Sequence, residues 1–251
     1  PPDERPVDTA SLSTGRRRAV IAPPPDSHTP MNLSAALLPA AWYLAANVAM
    51  LAIGIWILRT APWKRLVDGA FSHVWLGSCV ALLVLWTIRP VALAGFDFHL
   101  LGATIVTLMF GPQLAIAGMA LVMSGLVALG RADLHALSAN VLVLAVLPAF
   151  VSHGVFRLSD RMLPRNIFVY IFVPAFFGAA VAMESASVAA TGLRAVFGNP
   201  TEAMLAVEFL PYCFLLSFAE ATLTGMLVTL MVVYRPAWIG TFDDARYLQP
   251  R

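Results

Sequence analysis

The stretch that decides the fold is HLLGATIVTLMFGPQLAIAGMALVMSGLVAL, residues 99–129. It contains no Asp, Glu, Lys or Arg, and Gly111-Pro112 divides it into apolar runs at 99–110 and 113–129. A proline inside a helix removes a backbone hydrogen bond and clashes with the preceding turn. The stretch is therefore predicted to form either one long kinked helix or two short helices joined by a tight turn.

Further apolar runs lie on both sides of this stretch, at roughly 33–58, 70–94, 136–156, 166–193 and 203–234. A membrane-spanning helix needs about 20 apolar residues, and these five runs are long enough. In the whole chain, 59% of the 251 residues are hydrophobic and 12% are charged, whereas an average soluble domain is about 45–50% apolar and about 25% charged. The composition predicts an all-α polytopic membrane protein and excludes a soluble enzyme, a disordered chain and a nucleic-acid binder.

The basic residues favour seven helices over six. Cytoplasmic loops of membrane proteins carry an excess of Lys and Arg. After residue 30, seven helices place nine basic residues on one side of the membrane and three on the other, whereas six helices divide them seven to five. The expected fold is a bundle of about seven transmembrane helices with an external N-terminus and a cytoplasmic C-terminus. The run Arg16-Arg17-Arg18 disagrees with this orientation, since it would lie outside.

Residues 1–30 differ in composition from the rest of the chain. They contain 7 of the 18 prolines and no apolar run, which predicts a disordered extension rich in Pro and Arg. Met31 opens the first apolar run and is a candidate start of the native product. Residues 31–251 are expected to form a single transmembrane helical domain.

A few polar side chains interrupt the apolar runs. His99 lies among apolar residues, and a neutral imidazole is a good ligand for nickel, cobalt, zinc or copper; a hydrogen bond to a backbone carbonyl is the alternative. Asp97 is a candidate ligand or an orienting partner two residues earlier. Carboxylates are costly inside a membrane, so Glu184 and Glu220 are either functional groups or helix–helix hydrogen bonds. Asn140 either joins helices or lines a site.

No catalytic or nucleotide-binding pattern accompanies these residues. His-Glu-x-x-His, Walker and Gly-x-Ser-x-Gly sequences are absent, and no two carboxylates have the spacing of a catalytic dyad. The two cysteines, Cys79 and Cys213, offer neither a disulfide framework nor a metal knuckle. The chain is expected not to be an enzyme, and the energy for any active transport has to come from a partner or an ion gradient.

Several short motifs resemble the CbiM/NikM family, the substrate-binding membrane components of cobalt and nickel energy-coupling-factor transporters. In chain order these motifs are His99-Leu100-Leu101-Gly102, Gly111-Pro112, Leu137-Ser138-Ala139-Asn140, Phe218-Ala219-Glu220-Ala221 and Val233-Tyr234-Arg235-Pro236-Ala237-Trp238. The resemblance covers essentially residues 31–251 and is that of a divergent branch of the family.

The resemblance implies seven helices, an external N-terminus and a metal site near the outer face. In the family the mature chain begins Met-His, and its amine, backbone nitrogen and histidine ring bind the metal together with a second histidine from a loop. His99 matches that second histidine, but Met31 is followed by Asn32, and the loop contains Asp97. The implied metal site therefore consists of His99, Asp97, Met31 and Asn32 and retains one of the family's nitrogen ligands. Binding by the amine also requires Met31 to be N-terminal.

Two functions are compatible with this resemblance. The first is a substrate-specificity subunit for uptake of divalent cobalt or nickel, which has the ion as transported substrate and separate ATPase and coupling subunits as partners. It would be a multi-pass protein of a bacterial inner membrane, in contact with the lipid bilayer and with no nucleic acid. The second is a non-transporting membrane subunit that uses the same fold for packing or assembly in a larger complex. The missing Met-His start favours the second function, and the family motifs favour the first.

Overall fold

The structure, a computed structural model, describes residues 29–30, 32–88, 91–93, 96–97 and 99–247. Within these residues the chain is mainly helical, and three very short strands lie near one end of the bundle. The helices are α1 (Ala40–Thr60), α2 (Gly69–Thr87), α3 (Ala103–Phe110), α4 (Pro112–Ala128), α5 (Leu137–Met162), α6 (Ile167–Phe197), α7 (Pro200–Tyr234) and α8 (Asp244–Tyr247). The strands are β1 (Thr29–Pro30), β2 (Val91–Leu93) and β3 (Phe96–Asp97).

Five segments of the described chain are long and apolar enough to cross a membrane: α1, α2, α5, α6 and Pro211–Tyr234 of α7. They correspond to the five runs whose length predicts a span from sequence, because about 20 residues of helix cross a hydrocarbon core of about 30 Å. The predicted class, a multi-pass helical membrane protein, is therefore confirmed. Helix α4 is apolar but has 17 residues, and α3 has only eight.

Helix α3 runs antiparallel to α2. At its beginning, the indole N–H of Trp86, near the end of α2, donates to the carbonyl of Leu101 at 3.0 Å. At its end, the Phe110 ring meets the ring of Phe71, near the start of α2, edge-on at 5.6 Å between centroids. The chain thus returns along α2 as it passes from the His99 region towards Gly111.

Helix α4 runs parallel to α2. Near its start, the carbonyl of Leu114 accepts from the indole N–H of Trp75 at 3.1 Å, and near its end Gly125 approaches Leu83. The chain therefore reverses direction at Gly111, which has a φ of 81° that favours glycine. Of the two alternatives left open by the sequence, the structure has two short helices joined by a tight turn.

The two ends of the bundle differ in charge. One end, here called the basic end, contains the α1–α2, α3–α4 and α5–α6 connections and the C-terminal segment, where the Tyr247 hydroxyl lies 3.4 Å from an Asp160 oxygen. Its described basic residues are Arg59, Lys64, Arg65, Arg157, Arg161, Arg165 and Arg235. The opposite end includes Arg131 and Arg194. This is the grouping that seven helices assign to these residues.

Two of the spans contain π-helical stretches beside prolines. In α5 the stretch Leu142–Val146 precedes Pro148, and in α6 the stretch Ile171–Phe177 contains Pro174. A proline has no N–H to donate, and its ring presses on the carbonyl four residues earlier. A wider turn relieves that clash and lets the helix continue, so both segments remain single spans.

A stripe of alanines lies on the buried side of α6, which packs along α7 and α5. Ala179, Ala182, Ala186 and Ala190 are buried and recur every three or four residues on one face of α6. Without a hydrophobic driving force between helices in lipid, association depends on close van der Waals packing, which small residues permit. The α6–α7 pair is therefore a closely packed unit of the bundle.

The segment after α7 closes the basic end of α3. The N–H of Gly240 donates to the carbonyl of Met109 at 2.9 Å. Thr241 donates to the carbonyl of Leu108 through its N–H at 3.2 Å and through its hydroxyl at 2.7 Å. The last carbonyls of a helix lack partners within the helix, so this segment supplies them for α3.

Candidate metal site

The loop that precedes α3 carries His99 into the interior at the end opposite the basic end. The His99 side chain is 4% exposed, and its Nδ1 lies 3.4 Å from the carbonyl oxygen of Leu100. The ring of Trp86 lies beside the imidazole, at 5.3 Å between ring centroids. Because the Trp86 indole also donates to Leu101, this tryptophan both lines the site and holds the loop.

A carboxylate from α7 holds the same loop. Glu220 is 2% exposed, and its two oxygens accept from the backbone N–H groups of Leu101 at 3.0 Å and of Gly102 at 2.7 Å. These groups lie at the N-terminus of α3, where the helix dipole favours a negative charge. Of the two alternatives for Glu220, a functional group or a helix–helix hydrogen bond, the structure shows hydrogen bonds from α7 to the backbone of the His99 loop.

Gly102 allows the loop to turn into α3. Its φ is 63°, in the left-handed region, where a side chain costs about 1–2 kcal/mol. A Cβ at this position would lie 2.6 Å from Cδ2 of Leu82 on α2. The backbone conformation therefore favours glycine at position 102, and a Cβ there would also displace the end of the Leu82 side chain.

The segment between β1 and α1, residues 32–39, is held at the same end of the bundle by polar side chains. Asn140 of α5 accepts from the N–H of Leu33 at 2.6 Å and donates to its carbonyl at 3.0 Å. Arg194 of α6 donates to the carbonyl of Asn32 at 2.6 Å, and Asp133 accepts from the N–H of Ala35 at 2.8 Å. Asn140 therefore joins a helix to this N-terminal segment, which begins with a predicted ligand.

Strand pairing brings the two halves of the predicted site together. Strands β1 and β3 are parallel, with Thr29 opposite Phe96 and Pro30 opposite Asp97. Asn32 and His99 each follow the last paired residue of their strand by two positions. Neighbouring strands are about 4.8 Å apart.

The four predicted ligands have different outcomes. Asn32 is 3% exposed, and neither its amide nitrogen nor its amide oxygen has a hydrogen-bond partner among the described residues. Asp97 lies in β3, next to the paired segment, but its side chain is outside the described part of the structure. Met31 is outside the described residues altogether. The structure thus places Asn32 and His99 on adjoining segments, and the ligand roles stay predictions.

The donors present suit a cation with mixed nitrogen and oxygen ligands. An imidazole is a ligand for nickel, cobalt, zinc and copper, and an amide oxygen is a harder donor. A buried amide without a partner is costly, and a cation would offer its oxygen one. Among the described residues there is no group of three or more His, Cys, Asp or Glu side chains placed to hold a metal.

Two contacts at this end were not predicted from the sequence. Trp86 supports the His99 loop, and Arg194 anchors the carbonyl of Asn32. A signal for Arg194 was present, since it is one of few basic residues on the side with little positive charge. The second intramembrane carboxylate, Glu184, accepts from the hydroxyl of Ser217 at 2.8 Å, which is the helix–helix bond given as its alternative.

Comparison with known proteins gives a family match and similar folds. The family model CbiM, described as the cobalt uptake substrate-specific transmembrane region, matches residues 32–238. A structure described as a truncated transition metal transporter is 17% identical with a TM-score of 0.66, and the match covers 81% of this chain and 99% of that one. A second, described as a transition metal transporter, is 17% identical with a TM-score of 0.65 over 80% and 92%. No curated protein matches the chain.

Proposed function

The chain belongs to the CbiM family, and on that premise we propose that it is the substrate-binding membrane component for uptake of divalent cobalt or nickel. The observation that carries this proposal is the buried His99, held on a braced loop beside the N-terminal segment at the less basic end of the bundle. The ion is the transported substrate, and the chain contributes no catalytic step.

The proposed ligands are the His99 imidazole and donors from the segments of Asn32 and Asp97, with Met31 contributing where it is the N-terminal residue. Square-planar coordination by nitrogen favours nickel and copper(II). A set that mixes imidazole with amide or carboxylate oxygen lacks that preference. We therefore expect a smaller preference for nickel over cobalt than an all-nitrogen site would have.

Loss of the imidazole tests the metal site directly. We expect the purified chain to bind one cobalt or nickel ion and His99→Ala to bind none, because the only proposed imidazole ligand is removed. Metal content by mass spectrometry gives the stoichiometry. Quenching of tryptophan fluorescence by the bound ion reports its location, since the Trp86 indole lies 5.3 Å from the His99 ring.

The matched control is His153→Ala, because His153 lies on α5 beside Phe156 and away from the loop. It should bind metal as the wild type does. A wild type without stoichiometric metal after incubation with both ions would overturn the proposed function. The second function, a non-transporting subunit that uses this fold for assembly, would then be the better one. The replacement of the family's Met-His start by Met31-Asn32 also favours that function.

The proposed topology has seven membrane crossings, an external site and a cytoplasmic basic end. Its support is the concentration of Lys and Arg at that end, since cytoplasmic loops carry such an excess. Met162→Cys and Val196→Cys form a matched pair for thiol labelling of intact cells, because the native side chains are 73% and 72% exposed. We expect the impermeant reagent to label position 196 and not position 162, and the reverse pattern contradicts the orientation.

The proposed partners are separate ATPase and coupling subunits that meet the basic end in an inner membrane. The sequence has no nucleotide-binding motif of its own, so the energy for uptake has to come from outside the chain. Arg157, Arg161 and Arg165 are exposed at that end, where cytoplasmic subunits have access. These residues also serve to orient the protein in the membrane.

A further inference from the structure

Both carboxylate oxygens of Glu220 accept hydrogen bonds from the loop that carries His99. They accept from the N–H groups of Leu101 and Gly102, which lie 119 and 118 positions away in the sequence. A carboxylate inside a membrane is expensive, and such residues face partners within the bundle. Hydrogen bonds to a charged acceptor are shorter and stronger than neutral ones. This costly carboxylate bonds to two backbone N–H groups of a single loop, which indicates that the loop has to keep a particular conformation.

The packing between α7 and its neighbours is incomplete beside Glu220. A cleft of about 270 Å³ lies between α2, α3 and α7 beside Glu220, and its lining includes Leu82, Gly102, Leu223 and Leu227. Side chains at this level therefore leave a gap between the helices. The two hydrogen bonds of Glu220 connect α7 to the loop at the edge of that gap. A shift of α7 would therefore move the loop with it.

We propose that Glu220 is the positioning residue of the metal site, which holds the His99 loop in its ligand conformation from α7 and makes retention of the ion depend on the position of that helix. This inference rests on the proposed function, because it concerns the same ion. Glu220 acts through the backbone of Leu101 and Gly102 and does not itself bind the metal.

Replacing Glu220 by glutamine keeps the shape of the side chain and removes one acceptor. The carboxamide oxygen still accepts from one N–H of the loop, but its NH₂ group faces the other N–H with a donor. Release of the ion should therefore be at least about tenfold faster in Glu220→Gln, a factor that corresponds to about 1.4 kcal/mol. Glu220→Asp keeps the charge but is shorter by one methylene, and it should lie between the wild type and Glu220→Gln.

Glu184→Gln is the matched control. Glu184 is another intramembrane carboxylate, and it accepts from the Ser217 hydroxyl of α7 at 2.8 Å without touching the loop. The substitution removes the same charge from the neighbouring helix of the same helix pair. It should leave the release rate of the ion within about twofold of the wild type, since a difference of about 0.4 kcal/mol is small beside one charged hydrogen bond.

A second readout follows the loop without any metal. Leu100→Cys, in a background with the two buried cysteines Cys79 and Cys213 replaced by alanine, reports how readily a thiol reagent reaches the loop. The labelling rate should rise severalfold when Glu220→Gln is added and remain unchanged when Glu184→Gln is added. A general loss of stability would raise the labelling rate in both variants.

These measurements separate the two proposals. A wild type that binds no ion overturns the proposed function, while faster labelling in Glu220→Gln alone still supports control of the loop by Glu220. A wild type that binds the ion through His99, combined with equal release and equal labelling in Glu220→Gln and Glu184→Gln, overturns the positioning role and leaves the proposed function standing.

Discussion

Asn140→Ala is expected to release the N-terminal segment from the bundle and to abolish stoichiometric metal binding. The Asn140 amide satisfies both the N–H and the carbonyl of Leu33, and Leu33 and Asn140 are both fully buried. Each buried backbone group left without a partner costs about 1–3 kcal/mol. The free energy of unfolding in detergent should fall accordingly, and the ligands of the segment should lose their place beside His99.

Asn166→Ala is the control for this substitution. Asn166 caps the exposed start of α6 and accepts from the N–H of Phe168 at 2.8 Å. Its loss should cost about 1 kcal/mol, the usual value for a helix cap, and should leave metal binding unchanged. Limited proteolysis of the N-terminal segment distinguishes the two variants. Equal protection of that segment in Asn140→Ala and in the wild type would show that Asn140 does not hold it.

Gly102→Ala is expected to remove metal binding and to lower the free energy of unfolding. A Cβ at this position meets Leu82 at 2.6 Å, and the φ of 63° disfavours any side chain. The left-handed conformation alone costs about 1–2 kcal/mol, and the overlap with Leu82 adds to it unless the end of that side chain moves or the loop shifts. Such a shift stretches the hydrogen bond from the Gly102 N–H to Glu220, so the position of His99 changes as well.

The control is Gly192→Ala on α6, where a Cβ meets no atom within 4 Å. Alanine in a helix is about 1 kcal/mol more favourable than glycine, so this variant should be at least as stable as the wild type. Thermal unfolding in detergent and metal titration provide the two measurements. Wild-type metal affinity in Gly102→Ala would show that the loop accommodates the methyl group and that its observed conformation is not needed for binding.

The spans could be predicted from the sequence because each depends on composition along one segment. The long apolar runs of α1, α2, α5, α6 and α7 are visible without knowledge of their neighbours. The reversal at Gly111 was left open, because a glycine followed by a proline is compatible with a kink or a turn. What decides it is the packing of Leu114 and Gly125 against α2, which is a contact between distant segments.

The site could be predicted only in part for the same physical reason. His99 is found by its resemblance to a family motif, and Glu220 and Asn140 are found because they are polar residues in apolar runs. Their partners are backbone groups of Leu101, Gly102 and Leu33, and backbone groups have no sequence signature. Asp133 illustrates the limit, since it lies in the connection before α5 and its carboxylate accepts from the N–H of Ala35, 98 positions away.

The place of Gly102 along α2 has a consequence for dehydration of the ion. Gly102 lies against Leu82, five residues before the end of α2 at Thr87, which is a depth of about 7.5 Å at 1.5 Å per residue. Irregular backbone at such depth is tolerated only where protein satisfies its polar groups, as Glu220 and Trp86 do here. If His99 binds the ion as proposed, the ion has to lose water to enter this buried site, and selection among cations then includes the cost of removing each hydration shell.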